Sequence, residues 1–88
     1  MEKVTLTITN EDGLHARPAA IFVQEANKFE SDIELIFDGN KVNGKSIIGV
    51  MSLGAYTGDE ITIIAKGIDE EEAIKTLEEL ITDGLKDI

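Results

Sequence analysis

Hydrophobic and polar positions along this chain follow two rhythms. From Val4 to Ile8, apolar Val4, Leu6 and Ile8 alternate with Thr5 and Thr7, the period of two expected of a half-buried strand. Asn10-Glu11-Asp12-Gly13 reads as a turn. The period then becomes helical. Ala16, Ala19, Val23 and Ala26, with Phe22 beside them, share one face of a helix running from about Ala16 to Asn27 or Lys28. Pro18 falls in the first turn, where its missing N–H does no harm, and places the helix start at His15 or Ala16. A second strand, Ile33 to Phe37, turns Ile33, Leu35 and Phe37 to one face. Asp38-Gly39 is a tight hairpin signal, so a short third strand, Asn40 to Val42 or Asn43, pairs back on it.

Ser46 has the character of an N-cap, whose hydroxyl accepts from a first-turn N–H group. A short helix from Ile47 to Ser52 or Leu53 follows, with Gly54 beyond its end. Glu60 to Lys66 is the last strand, with Ile61 and Ile63 on one face. Asp69 opens the last helix and resembles a capping box with Glu72, while Glu70, Glu71 and Glu72 suit the positive end of the helix dipole. Ala73, Ile74, Leu77, Leu80 and Ile81 form its buried stripe, and Gly84 suits its stop. The order β-α-β-β-α-β-α, in strands with one apolar face, predicts an α+β domain with a single sheet covered on one side.

Composition narrows what such a fold does. At 88 residues and 42% hydrophobic, the chain fits one small domain, residues 1–88, with one modest core and no deep enclosed active site. A surface site that docks with larger partners is favoured. The net charge of -10 repels nucleic acid and anionic membranes and suits a soluble monomer. Cysteine is absent, which excludes thiolate chemistry and a disulfide framework. One histidine and no cysteine argue against a zinc site, and no metal or other cofactor is expected. The start, Met1-Glu2-Lys3-Val4, lacks a signal-peptide pattern, and no apolar run approaches about 18 residues, so the chain is read as cytoplasmic.

Two stretches carry candidate chemistry. In Gly13-Leu14-His15-Ala16-Arg17-Pro18-Ala19-Ala20, the only histidine stands at the mouth of a helix after a glycine turn. First-turn N–H groups and the dipole make such a mouth an anion site. Arg17 adds a fork of donors suited to phosphate oxygens. A neutral imidazole nitrogen is nucleophilic, and the positive helix end would favour a phosphorylated product by roughly 0.3–1 kcal/mol. That modest scale fits a group meant to be passed on. Asp12 works in the opposite direction by repelling phosphate. The second stretch, Lys45-Ser46-Ile47-Ile48-Gly49-Val50-Met51-Ser52-Leu53-Gly54, is apolar nearly all round its short helix. Part of that helix therefore serves as a docking patch or is covered by core. Ile21 resembles it in pointing away from its own helix's stripe. Ser46 is either a plain cap or a phosphorylation site, since negative charge is tolerated at a helix N-terminus. Asn43-Gly44-Lys45-Ser46 copies only the tail of a phosphate-binding glycine loop, without the upstream glycine.

These two stretches, and the chain as a whole, resemble the HPr family, the histidine-containing phosphocarriers of the bacterial phosphoenolpyruvate-dependent sugar phosphotransferase system. The resemblance implies an open-faced β-sandwich: a four-stranded antiparallel sheet with three helices on one face, the first and second strands parallel and the fourth between them. It implies a carrier rather than an enzyme, with His15 phosphorylated on Nδ1 by enzyme I and the group passed to sugar-specific enzyme IIA. Arg17 would balance the phosphate charge. Ala16, Ala20, Ile21, Ile47, Ile48 and Met51 would bind phosphate or partners. Ser46 matches the serine that HPr kinase/phosphorylase modifies with ATP in Gram-positive-type members, the modified form binding the catabolite control protein CcpA in carbon catabolite repression. Two positions depart from the pattern. Asp12 stands where members often carry a small hydroxyl residue, and Gly44 replaces a larger apolar residue and is expected to loosen the loop before Ser46. Relatives in catabolite repression that lack the histidine are disfavoured by His15.

Two other classes compete. In a regulatory interaction module, Ser46 with Ile47, Ile48 and Met51 would carry the function. An acyl carrier protein is also small, acidic and cysteine-free, but is all-helical around an Asp-Ser-Leu site. Here Ser52-Leu53 follows Met51, and the strand patterns are strong.

Overall fold

The computed structural model describes residues 1–85. Its four strands are β1 (Glu2–Thr7), β2 (Asp32–Phe37), β3 (Asn40–Asn43) and β4 (Glu60–Lys66), and its helices are α1 (Arg17–Ala26), α2 (Ile47–Ser52) and α3 (Glu70–Glu79). The strands form one sheet in the order β1-β4-β2-β3. Every neighbouring pair is antiparallel, with Val4 opposite Ile63, Leu35 opposite Ile63 from the other side, and Leu35 opposite Val42. With β4 antiparallel to both, β1 and β2 run parallel to each other, as the resemblance implies. Four strands exclude the all-helical acyl carrier alternative.

The period-two faces do what the pattern requires. Leu6, Ile8, Ile33, Leu35, Ile61, Ile63 and Ala65 are buried, and the helices add Ala19, Phe22, Ala26, Val50, Ala73, Leu77 and Ile81 to the same core. The open face carries Thr5 and Thr62, whose hydroxyls meet at 2.8 Å across paired strands, and the Lys41–Glu34 ion pair at 3.8 Å. The hairpin between β2 and β3 is the tight turn read from Asp38-Gly39. Both residues adopt positive φ, 52° and 80°, which twists the chain in the sense that matches the flanking strands.

Four local expectations are corrected. First, α1 begins at Arg17 and ends at Ala26, one residue later at its start and one or two residues earlier at its end than the apolar pattern suggests. Ala16 is exposed and is not on the buried stripe, because its φ of 54° and ψ of -123° lie outside the helical region. Second, Asp69 forms no capping box with Glu72. Its carboxylate turns away from its own helix to accept from the backbone N–H groups of Glu30 (2.9 Å) and Ser31 (3.0 Å) and from the Ser31 hydroxyl. Glu70 instead accepts from Gly67 N at 3.1 Å and pairs with the N-terminal amine at 2.6 Å. Third, the last helix does not run evenly to Gly84 but widens into a π turn, Leu80–Gly84, closed by Leu85 N donating to Leu80 O at 3.0 Å.

Fourth, Gly44 does not loosen its loop. It is buried, donates to Ile33 O at 2.7 Å, and lies so close to β2 that a Cβ would stand 2.6 Å from Ile33 Cγ2. The missing side chain permits direct backbone contact there.

Candidate functional site

The loop that presents His15 is built from the backbone outward. Gly13, at φ 61°, donates to Asn10 O at 3.2 Å, and Leu14 donates to Ala55 O at 3.0 Å. A Cβ on Gly13 would lie 2.6 Å from Ala55 O and 2.7 Å from Tyr56 Cα, so the absence of a side chain lets the two loops touch. Leu14 is fully buried, and Pro18 and Ala19 are buried at the start of α1. His15 and Arg17 thus stand exposed between two anchored segments.

Ala16 bridges them in a backbone conformation that L residues rarely adopt, at a cost of order 1–3 kcal/mol. Its carbonyl opens the helix by accepting from Ala20 N at 3.1 Å. No side chain caps the helix, and its first turn contains no acidic residue. Arg17 is its first residue, a position where the dipole disfavours a cation by roughly 0.3–1 kcal/mol. Among the described residues, neither His15 nor Arg17 forms a hydrogen bond or ion pair through its side chain. An anion on the imidazole would meet uncommitted first-turn N–H groups and an unpaired guanidinium, reversing the sign of the local imbalance. Asp12 is exposed on the approach to this turn and has no ion pair among the described residues.

The second stretch has the predicted cap. Ser46, in extended conformation, accepts from Gly49 N through Oγ at 3.1 Å, while its carbonyl accepts from Val50 N at 2.9 Å. Gly49 leaves room for this, since a Cβ there would sit 3.3 Å from Ser46 Oγ. Val50 is wholly buried, whereas Ile47 is 42% and Ile48 78% exposed, and Met51 is half-buried. The helix is therefore neither fully covered nor fully free. Ile21 and Ala20 are half-buried on α1.

Packing of α2 against α1 decides how the stretches relate. Asn27, just past the end of α1, donates to Val23 O (2.8 Å) and to Lys45 O (3.4 Å), which sets Ser46 beside that end. At its other end α2 exits through Leu53 and Gly54 into Ala55, which holds Leu14. The helices are antiparallel, and His15 and Ser46 stand at opposite ends of the pair with Ile47, Ile48 and Met51 between. The concavity lined by Asp32, Glu34, Lys41, Lys45 and Lys66 does not include His15. No group of three metal-ligating side chains occurs among the described residues, and no described helix is long and apolar enough to cross a membrane.

Two residues in this neighbourhood carry no signal in the hydrophobic pattern. Thr57 Oγ1 donates to the carbonyls of Asn10 and Glu11, the latter at 3.0 Å, and Asn10 Nδ2 donates to Gly13 O at 2.8 Å. Only the turn chemistry of Asn10 and of Thr57-Gly58-Asp59 marks these places.

Comparison with known proteins agrees with this architecture. The chain is 63% identical over 65 residues to the HPr-like protein Crh of Bacillus subtilis, covering 74% of this chain and 76% of the relative. The crystal structure of HPr-C-His from Thermoanaerobacter tengcongensis superposes with a TM-score of 0.94 at 54% identity, covering 97% of this chain and 96% of that one. The phosphocarrier protein HPr of Bacillus anthracis gives 0.89 at 48% identity, covering 91% and 95%. The family model PTS-HPr, "PTS HPr component phosphorylation site", matches residues 2–83, and the chain therefore belongs to the HPr family of phosphocarrier proteins of the sugar phosphotransferase system.

Proposed function

We propose that this chain accepts a phosphoryl group from enzyme I on Nδ1 of His15 and passes it to sugar-specific enzyme IIA in the cytoplasm. One observation carries the reading. The chain's only histidine is exposed at the mouth of α1, beside an unpaired Arg17 and a helix start with no acidic residue. The nitrogen lone pair forms the new N–P bond as the donor's bond to phosphorus breaks, and the transfer onward is the same exchange in reverse. The helix start and Arg17 stabilise the added negative charge in the product and in the charge-spread transition state. The partner supplies the rest of the catalytic group, so the chain acts as a carrier. Ala16, Ala20 and Ile21 on α1 and Ile47, Ile48 and Met51 on α2 form the docking surface beside it.

The test is a complete relay of purified enzyme I, phosphoenolpyruvate, this chain and an enzyme IIA. The wild-type chain is expected to move label to enzyme IIA, and His15→Ala to stop it. Label reaching enzyme IIA equally through His15→Ala would overturn the reading.

A second role is favoured by Ser46, which caps α2 next to the exposed Ile47 and Ile48. HPr kinase/phosphorylase would phosphorylate its hydroxyl with ATP, and the product would engage CcpA in catabolite repression. Similarity to Crh, described in one solution structure as the Bacillus subtilis catabolite repression HPr, supports this role. An acid-stable phosphate on Ser46 after incubation with that kinase is the expected result, and its absence would remove the role.

We take the chain as a single-domain monomer in solution. A dimer of the Thermoanaerobacter HPr and an intertwined dimer of Crh are known among its relatives. Light scattering across a concentration series should return one protomer mass, and a dimer mass would refute the assignment.

A further inference from the structure

The His15 loop is locked by side chains that the transfer chemistry does not use. Asn10 is almost wholly buried, and its carboxamide makes a single hydrogen bond, from Nδ2 to Gly13 O at 2.8 Å. Its Oδ1 is buried with no partner. From the opposite loop, Thr57 donates its hydroxyl to the carbonyls of Asn10 and Glu11, 47 and 46 residues away in sequence. Backbone bonds on either side complete the seam: Gly58 N to Ile8 O at 2.8 Å and Leu14 N to Ala55 O at 3.0 Å. Gly13 and Leu14 are therefore held at N–H, carbonyl and side chain directly before His15.

We propose that Asn10 and Thr57 are positioning residues for phosphoryl transfer at His15, holding the Gly13–Leu14 backbone so that the imidazole meets the phosphorus in line without a search by the loop. The proposal rests on His15 being the acceptor. Transfer in which the protein contributes mostly orientation is sensitive to such holding. The exposed surface that a partner touches is left unchanged by the clamp, so its loss should alter turnover rather than docking.

The experiment uses the full chain as wild type, Thr57→Val, Thr57→Ser and Asn10→Asp. Thr57→Val keeps the shape and removes the donor, Thr57→Ser restores the donor, and Asn10→Asp sets a carboxylate oxygen against Gly13 O. Amide hydrogen exchange at Gly13 and Leu14 reads the clamp, with the core amides of Ile63 and Leu77 as the reference for global stability. Loss of one net hydrogen bond should speed exchange at Gly13 and Leu14 by about threefold to tenfold in Thr57→Val, with the core unchanged.

The kcat for transfer from phosphorylated enzyme I should fall by a similar factor at constant KM, and Thr57→Ser should recover both readouts. Asn10→Asp should exceed Thr57→Val in both. If Asn10→Asp does not fold, Asn10→Ser provides the milder loss and is expected to match Thr57→Val. Unchanged exchange at Gly13 and Leu14, or a loosened loop with unchanged kcat, would overturn the positioning role. If the wild-type chain itself takes no phosphate from enzyme I, the reading of His15 falls and the positioning role with it. If wild type is labelled while the clamp variants transfer normally, only the positioning role falls.

Discussion

Replacing Ser46 tests whether the residue proposed as a regulatory switch can change charge without unfolding its helix. Ser46→Ala removes the Oγ that accepts from Gly49 N at 3.1 Å and leaves a half-buried donor at the first turn of a six-residue helix. Loss of an N-cap costs typically about 1 kcal/mol, within a range of about 0.5–2. Gly49 is not fully buried, so water replaces part of the bond and the central figure applies. For a domain of this size, about 1 kcal/mol lowers the melting temperature by about 4–8 °C. Ser46→Asp keeps an acceptor in the capping position. It also adds negative charge at a helix start with no acidic residue in its first turn, an interaction worth roughly 0.3–1 kcal/mol when exposed. The predicted order of stability is therefore Asp at or slightly above Ser, with Ala below both. Thermal and urea unfolding of the three chains measures it. A Ser46→Ala shift below about 2 °C, under half of what one cap is worth, would show that the bond does not stabilise α2. A Ser46→Asp chain less stable than Ser46→Ala would refute the claim that this helix start tolerates a phosphate.

Other perturbations follow from the same geometry. Hydrogen bonds from Ser31 Oγ and from the Glu30 and Ser31 backbone N–H groups hold the Asp69 carboxyl below the ordinary aspartate range, because they favour its charged form. The unfolded chain lacks these donors. The associated stability is therefore complete above the ordinary value near about 3.9 and is lost as pH falls through the lower folded value. In acid titrations followed by urea unfolding, Asp69→Asn should remove that part of the pH dependence, and an unchanged acid limb would refute it. Gly44→Ala forces a Cβ to within 2.6 Å of the buried Ile33 Cγ2 and should destabilise by about 1–3 kcal/mol in urea. Wild-type stability would mean that Ile33 repacks freely. Gly13→Ala combines a left-handed backbone, costing about 1–2 kcal/mol, with a 2.6 Å clash against Ala55 O. It should lower both stability and phosphoryl acceptance, and normal phosphorylation would show that close contact between the two loops is dispensable.

Features set by near neighbours were legible in the sequence. The last strand has the predicted limits, Glu60–Lys66, because alternation and flanking turns mark it on both sides. The Asp38-Gly39 hairpin and the Ser46 cap also formed, since each depends on chemistry within four residues. Where the fold diverged, a distant partner won. Asp69 was free to cap its own helix, yet its carboxylate satisfies the start of the segment leading into β2, 38 residues away for Ser31. Ala16 fits the apolar helical pattern, but its backbone is held between the buried Leu14 and Pro18 in a conformation that starts the helix one residue later. Gly44, read as a loosening, bonds the loop directly to the backbone of Ile33 in β2. Of the candidate site, position and residue type were visible at His15, Arg17 and Ser46. Their placement at opposite ends of two antiparallel helices exists only once α1 and α2 have packed, and the Asn10–Thr57 seam only once the loop after β1 meets the loop before β4.

The role proposed for the His15 imidazole is that of phosphoryl acceptor. Incubation of the full chain with enzyme I and phosphoenolpyruvate, followed by phosphorus-31 and nitrogen-15 NMR, addresses it directly. The expected result is one acid-labile, base-stable phosphate on Nδ1 of His15, absent from His15→Ala. Equal labelling of His15→Ala, or a phosphate on any other side chain, would contradict it.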